Sequence, residues 1–169
     1  MAARCTLWRV FFLPKCVSNQ LKSKENAPNR AAYLIDTNVI SEIRKGNRAN
    51  RGVRAFFRQA EEAGNPLYLS VVTVAELRRG VDLVRRRGDH PQASALDAWV
   101  AMILSDYASN ILPVDIDTGQ MWGHLRVADP AHALDKLIAA TALINDLIVV
   151  TRNVDDFAGT GVRLLNPFD

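Results

Sequence analysis

Two acidic side chains follow short apolar runs in this 169-residue chain. Asp36 comes directly after Leu34 and Ile35, and Glu76 closely follows an apolar run that starts at Leu67. Short apolar runs of this kind predict buried strands. In an open α/β sheet the carboxyl ends of parallel strands face the binding crevice. We therefore expect both carboxylates at one rim of a sheet.

Two further oxygen ligands are predicted at the same rim. Asp135 shares a helix face with Ile138, Ala139 and Ala142, and a buried, unpaired carboxylate on so apolar a face is costly unless a cation neutralises it. Asn153 stands just past the fourth predicted strand, and its amide oxygen can bind a hard cation. Three carboxylates and one amide are thus candidates for a common site.

Such a set of ligands suits Mg²⁺ or Mn²⁺, since hard cations take oxygen ligands and keep some of their waters. A cation held there could activate water and stabilise the charge of a phosphodiester transition state. A site for a soft metal is disfavoured because no cysteine follows residue 32 and the three histidines, His90, His124 and His132, show no ligand spacing. The glycine-rich loops that bind nucleotide phosphates are absent from the sequence.

Each of these residues also has a purely structural interpretation. Asp36 could be a turn or helix-cap aspartate. Glu76 could close a capping box with Thr73, reaching back to the Thr73 amide. Asp135 could be a first-turn acid favoured by the helix dipole. Asn153 could simply cap the short helix that follows it.

The elements that must position these side chains alternate along the chain. The first strand ends at Ile35, and further strands are predicted over residues 67–72, 111–114, 147–150 and 162–165. Helices are predicted over residues 38–44, 49–63, 73–88, 90–108, 120–127 and 133–145. Strands separated by helices imply βαβ crossovers. The predicted fold is an α/β three-layer sandwich with a mostly parallel central sheet.

Composition bounds the domain organisation. With 49% hydrophobic and 23% charged residues, the chain suits one globular domain, and no apolar run has the length of a membrane span. Residues 1–32 carry a net charge of +5 and both cysteines, Cys5 and Cys16, whereas residues 33–169 sum to −2. We expect residues 1–32 to be a disordered extension and residues 33–169 to be the domain. A domain without cysteine is consistent with the reducing cytoplasm.

Four segments carry a family resemblance. In order and spacing they resemble the PIN-domain toxins of the VapC type, and the likeness covers about residues 32–169. The segments are Leu-Ile-Asp-Thr-Asn-Val-Ile-Ser at 34–41, Val-Thr-Val-Ala-Glu-Leu-Arg-Arg-Gly at 72–80, Leu-Asp-Lys-Leu-Ile-Ala-Ala-Thr-Ala at 134–142 and Val-Thr-Arg-Asn-Val-Asp-Asp-Phe at 150–157.

The resemblance implies a PIN-like nuclease domain and an endoribonuclease that depends on Mg²⁺ or Mn²⁺. On the matching positions, Asp36 and Asp135 would be the principal metal ligands, and Glu76 would complete the acidic cluster and orient or deprotonate the attacking water. The fourth family position, often aspartate, falls on Asn153, which leaves the site one charge short and bears on whether a second metal binds. Auxiliary candidates are Asp156, Thr151 and Asn38.

The resemblance also implies partners. The chain would be the toxin of a type II toxin–antitoxin pair, a cytoplasmic homodimer that cleaves RNA and is silenced by a small DNA-binding antitoxin, with no membrane association. A metal-dependent DNA nuclease and a non-catalytic PIN-fold nucleic-acid-binding module remain alternatives. An arginine-rich run, Arg78, Arg79 and residues 85–87, could contact phosphates or could be a solvated helix face.

Overall fold

A central sheet of five parallel strands organises residues 30–169, the part of the chain that the computed structural model describes. The spatial order is β3-β2-β1-β4-β5. All four strand pairs are parallel. The strands are β1 (Tyr33–Ile35), β2 (Leu67–Ser70), β3 (Ile111–Leu112), β4 (Ile148–Val150) and β5 (Arg163–Leu165).

Six α-helices connect and cover these strands within the described range. They are α1 (Thr37–Ile43), α2 (Arg51–Glu62), α3 (Val71–Arg86), α4 (His90–Asp106), α5 (Ile116–Ala128) and α6 (Ala133–Ile144). Residues 30–169 also contain three short 3₁₀ turns, at Gly46–Arg48, Ala108–Asn110 and Val154–Phe157.

Alternate residues of the strands enter two separate hydrophobic cores. Ile35 and Val150 join a cluster with side chains of α1 to α4, whereas Leu34 and Val149 join a second cluster with side chains of α6. This period of two is the expected signature of a strand buried on both faces. Helices therefore cover both sides of the sheet, and the predicted three-layer α/β sandwich is confirmed.

The boundary between β2 and α3 differs from the prediction. The sequence predicts a strand that reaches Val72 and a helix that begins at Thr73, but β2 ends at Ser70 and α3 begins at Val71. The Ser70 hydroxyl accepts a hydrogen bond from the Val72 amide at 3.1 Å, and this N-cap overrides the β-propensity of the two valines. Thr73 lies inside the helix, where its hydroxyl donates to the Ile35 carbonyl at 3.4 Å.

The start of α5 is the other displaced boundary. The predicted helix over residues 120–127 begins instead at Ile116, because the Asp115 carboxylate accepts a hydrogen bond from the Thr118 amide at 2.8 Å and caps the helix there. The remaining predicted helices and strands agree with the structure to within about two residues at each end, which is the ordinary uncertainty of a terminus.

The strand order places a topological switch between β1 and β4. From β1 the chain proceeds to β2 and β3 on one side and later returns to β4 and β5 on the other. Ile35 is in register with Val150, and the Asp36 amide donates to the Val150 carbonyl at 3.0 Å. In open α/β sheets, ligands bind at this point, just beyond the carboxyl ends of the strands.

The predicted extension falls almost entirely on residues 1–29, which lie outside the described range, as do Cys5 and Cys16. The Ala32 carbonyl accepts a hydrogen bond from the Ile148 amide at 3.0 Å, next to the start of β1. The division into an extension and a domain stays a prediction. Among residues 30–169, no helix is both long enough and apolar enough to cross a membrane.

Candidate active site

Asp36 occupies the switch point. It follows β1 directly, caps α1, and is only 4% exposed. One carboxylate oxygen accepts from the Thr37 amide at 2.6 Å. The other accepts from the Asn38 amide group and from the Thr151 hydroxyl, each at 2.6 Å. The helix-cap role considered from the sequence is therefore real, and it fixes the carboxylate at the mouth of the β1–β4 crevice.

Burial dominates the electrostatics of this carboxyl group. It raises the pKa of Asp36 from 3.8 to about 6, although hydrogen bonds from Thr151 and Thr37 act in the opposite direction. The negative charges of Glu76 and Asp135 raise the pKa further. The structure thus brings the three predicted carboxylates within electrostatic reach of one another.

Glu76 is half-buried and lies in the second turn of α3. Its carboxylate accepts a hydrogen bond from the Thr37 hydroxyl, which belongs to the first turn of α1. The capping box with Thr73 is wrong, because α3 begins two residues before Thr73 and Ser70 caps it. Glu76 therefore contacts a neighbouring helix at the sheet rim. The sequence did not predict this role of Thr37, because no local pattern reveals a contact between residues 39 positions apart.

Asp135 lies in the first turn of α6 and is half-buried. Burial raises its pKa, and the charges of Asp156 and Glu76 add to that increase, while His132 opposes it. The Asp135 carboxyl group is thus within electrostatic reach of both Glu76 and Asp156. Its position also matches the dipole-favoured acid considered from the sequence.

The next residue, Lys136, is 2% exposed, yet its ammonium group faces other partners. It donates to the Asp129 carboxylate at 2.5 Å and to the Ala131 carbonyl at 2.6 Å. This buried lysine holds the segment that leads into α6.

Thr151 connects the ends of β1 and β4. Besides donating to Asp36, its buried hydroxyl is 3.2 Å from the Asn38 amide nitrogen and accepts from the Asn153 amide at 3.0 Å. Asn38 in turn accepts from the Arg152 amide at 3.1 Å. These two residues, named as auxiliary candidates from the sequence, hold Asp36 in place.

Asn153 differs from the other candidates because its side chain is exposed. It stands at the N-cap position of the Val154–Phe157 turn without a side-chain capping bond, so the capping interpretation is wrong. Its role as a cation ligand stays a prediction.

Asp156 belongs to the Val154–Phe157 turn that follows β4 and is half-buried, and its carboxylate lies 3.2 Å from His132 Nδ1. One potential ligand atom from each of His132, Asp135 and Asp156 lies within 4.8 Å of the others. The sequence did not single out His132 because it has no ligand spacing to His90 or His124. The informative signal was its position three residues before Asp135.

The donor set fits a hard divalent cation. Carboxylate oxygens predominate, and the buried Asp36 carries a charge whose desolvation a cation would offset. Asp36, Glu76 and Asp135 are the residues that could hold it. Beside them, a cleft of about 300 Å³ between α1, α3 and α4 is bordered by Thr37 and Glu76 and reaches Trp99.

The chain is similar in sequence to known proteins. The family model described as PIN domain matches residues 33–162. Among curated proteins, the VapC ribonuclease Y4jK of Sinorhizobium fredii is 30% identical over 141 residues, which cover 80% of this chain and 97% of the relative.

Two solved structures are similar over nearly their whole length. The crystal structure of FitAcB from Neisseria gonorrhoeae has a TM-score of 0.68 and 34% identity, covering 80% of this chain and 98% of the other. A toxin-antitoxin complex from Klebsiella pneumoniae has a TM-score of 0.59 and 26% identity, covering 82% and 99%.

Proposed function

We propose that this chain, which belongs to the PIN-domain family, is a divalent-metal-dependent endoribonuclease and the toxin of a toxin–antitoxin pair. The observation that carries the proposal is the buried Asp36, held at the topological switch point within electrostatic reach of Glu76 and Asp135. The ribonuclease name of the similar protein from Sinorhizobium fredii supports RNA as the substrate.

Asp36 and Asp135 would hold Mg²⁺ or Mn²⁺, and Glu76 would complete the cluster. The cation, when bound, supplies water activation and stabilises the charge that develops on the phosphodiester. The protein's contribution is positional. Thr37 donates from its amide to Asp36 and from its hydroxyl to Glu76, so one residue fixes both carboxylates. Glu76 would then orient the attacking water and accept its proton.

The cleft beside Glu76 is a suitable path for single-stranded RNA. Trp99 lines it, and the Arg44 guanidinium lies 5.8 Å from the centre of the indole ring. Aromatic and guanidinium planes are the groups on which unpaired bases stack. The arginine run of α3 contributes less than its length suggests, because Arg78 and Arg85 both contact Asp97 of α4 and so join the two helices.

The partner proposal rests on the family and on the solved complex. A toxin-antitoxin complex is among the similar structures, and we infer a small DNA-binding antitoxin that covers the sheet rim carrying Asp36, Glu76 and Asp135. A homodimer in the cytoplasm is proposed on the same family basis. Co-expression with the product of a small neighbouring reading frame should yield a stable complex without ribonuclease activity, and recovery of separate, active chains would contradict this.

A cleavage assay with three labelled substrates tests the activity. RNA, single-stranded DNA and duplex DNA are incubated with wild type, Asp36→Asn and Asp117→Asn in Mn²⁺. Asp117 is a matched control, since it is an exposed aspartate in the first turn of α5. We expect RNA cleavage by wild type and Asp117→Asn and a loss of at least about a hundredfold for Asp36→Asn. Cleavage of DNA alone would favour the DNA nuclease, and intact RNA with folded protein would favour the binding module.

A further inference from the structure

We propose that Arg152, held against the ring of Phe168, is a substrate-binding residue that contacts a backbone phosphate of the RNA beside the cleavage position. The inference rests on the proposed function, which it deepens by naming a phosphate contact outside the three carboxylates. Both residues stand at the sheet rim that carries Asp36, because Arg152 follows β4 by two positions and Phe168 lies three residues beyond β5. The Thr151 amide donates to the Leu165 carbonyl at 3.0 Å, which joins the ends of these two strands.

The backbone of Arg152 is tied to the groups that hold Asp36. Its amide donates to Asn38 Oδ1 at 3.1 Å. The Asn38 amide group donates in turn to the Asp36 carboxylate at 2.6 Å, as does the hydroxyl of the preceding residue, Thr151. The side chain of Arg152 is exposed. The guanidinium is therefore carried by a backbone that is fixed next to a proposed metal ligand.

An aromatic ring fixes the direction of the side chain. The guanidinium carbon of Arg152 lies 5.1 Å from the centre of the Phe168 ring. Phe168 is half-buried against the core formed with α1 to α4, and its amide donates to Asn166 Oδ1 at 3.1 Å. The segment is packed closely, because a methyl group added at Gly52 would collide with the Pro167 carbonyl. The ring is therefore a fixed support for the guanidinium.

The N–H donors of Arg152 remain available to a ligand. Contact with a ring occupies the face of a guanidinium and leaves its in-plane N–H groups accessible. Among residues 30–169, no carboxylate forms an ion pair with Arg152. The pKa of Glu42 is lowered, chiefly by its hydrogen bond with Lys45 and to a smaller extent by the charge of Arg152, but the Glu42 oxygens accept from Lys45 and from the Asn50 amide. A guanidinium in this state can bind a phosphate through two parallel hydrogen bonds.

Arg152 and the cleft lie on different sides of α1. Thr37 and Arg44 border the cleft, whereas Asn38 contacts Arg152 from the neighbouring side of the helix. Asp36 caps the same helix. A strand that runs along the cleft and passes Asp36 would therefore be held on both sides of the cleavage position.

The competing interpretation is a purely structural contact, in which Arg152 only covers Phe168. Fluorescence anisotropy of a short labelled single-stranded RNA separates the two, measured with the full chain in EDTA so that binding is observed without metal-dependent cleavage. Arg152→Met removes the charge and keeps an unbranched side chain. Arg163→Met is the matched control, since Arg163 is an exposed arginine at the amino end of β5, where it pairs with Asp146. Phe168→Leu keeps an apolar side chain and removes the ring.

We expect Arg152→Met to raise the dissociation constant at least about tenfold relative to wild type and to Arg163→Met, because a charge-assisted contact is lost. The slope of log affinity against log salt concentration should become shallower by about 0.7, the value for one phosphate contact on a single strand. Phe168→Leu should weaken binding about two- to fivefold and leave this slope unchanged, since the charge stays and only its support is lost.

Equal affinities and equal salt slopes for Arg152→Met and Arg163→Met would overturn the inference, as would a wild-type chain that does not bind the RNA. A lower melting temperature of Arg152→Met with unchanged RNA affinity would likewise show a structural contact only. Cleavage is assayed separately in Mn²⁺. A protein that binds RNA through Arg152 and yet leaves it intact in Mn²⁺ would refute the proposed nuclease activity and leave the phosphate contact standing.

Discussion

Replacing Asp36 by asparagine should change the stability of the metal-free protein in a pH-dependent way. Burial raises the pKa of this carboxyl group from 3.8 to about 6. Between those values the folded state binds more protons than the unfolded state, so stability falls as pH rises from about 4 towards 6 and the loss is complete above 6. Asparagine carries no charge at any pH and escapes this loss.

The size of the effect follows from the two pKa values. Their difference corresponds to about 3 kcal/mol of destabilisation at pH 7.5, of which about 1 kcal/mol is already present at pH 4.5. Asparagine has one acceptor oxygen where Asp36 has two, so one of its three donors loses its partner at a cost of about 1–3 kcal/mol. That cost is common to both pH values. The free energy of unfolding of Asp36→Asn, measured relative to wild type, should therefore be about 2 kcal/mol greater at pH 7.5 than at pH 4.5.

Urea unfolding in EDTA at the two pH values measures this difference, with Asp117→Asn as an exposed control that should show little pH-dependent change. In thermal unfolding the same difference corresponds to about 6 °C. A stability difference between wild type and Asp36→Asn that is the same at both pH values would refute the claim that this carboxylate is buried at a cost. Saturating Mn²⁺ should stabilise wild type and leave Asp36→Asn nearly unaffected.

Three further predictions concern the surroundings of Asp36 and the chain outside the domain. Asn153→Asp should shift the Mg²⁺ titration of cleavage to lower concentration and raise activity more at low than at saturating Mg²⁺, and superimposable curves would exclude a ligand role. Thr151→Val should lower stability by about 1.5–3 kcal/mol at pH 7.5, because the Asp36 carboxylate loses a buried donor, and an unchanged urea midpoint would contradict this. Deleting residues 1–29 should leave melting temperature and cleavage rate unchanged, and loss of soluble protein would show that they pack on the domain.

The sheet and the placement of its rim were predictable because the signals are local. An apolar run that ends on a polar residue, as at Ile35 and Asp36, marks the end of a buried strand without any knowledge of the rest of the chain. The β2–α3 boundary was not predictable in this way. Val71 and Val72 favour a strand, and only the competing Ser70 cap places them in a helix.

The detailed geometry of the site depends on contacts between distant residues. The Thr37–Glu76 hydrogen bond and the His132–Asp156 contact join separate elements, and neither follows from periodicity or from capping patterns. Glu76 is an example, since its sequence pattern was also compatible with a capping box that the start of α3 at Val71 excludes. The catalytic roles of Asp36, Glu76, Asp135 and Asn153 stay predictions that need kinetic tests.

Metal-dependent internal cleavage of RNA tests the central proposal most directly. The full chain is stripped of metal with EDTA, incubated with RNA labelled at the 5′ end, and assayed again after Mn²⁺ is added in excess. We predict intact RNA in EDTA and, after Mn²⁺ addition, discrete internal fragments that Asp36→Asn does not produce. Fragments that form equally well in EDTA would contradict a mechanism built on a cation held by Asp36 and Asp135.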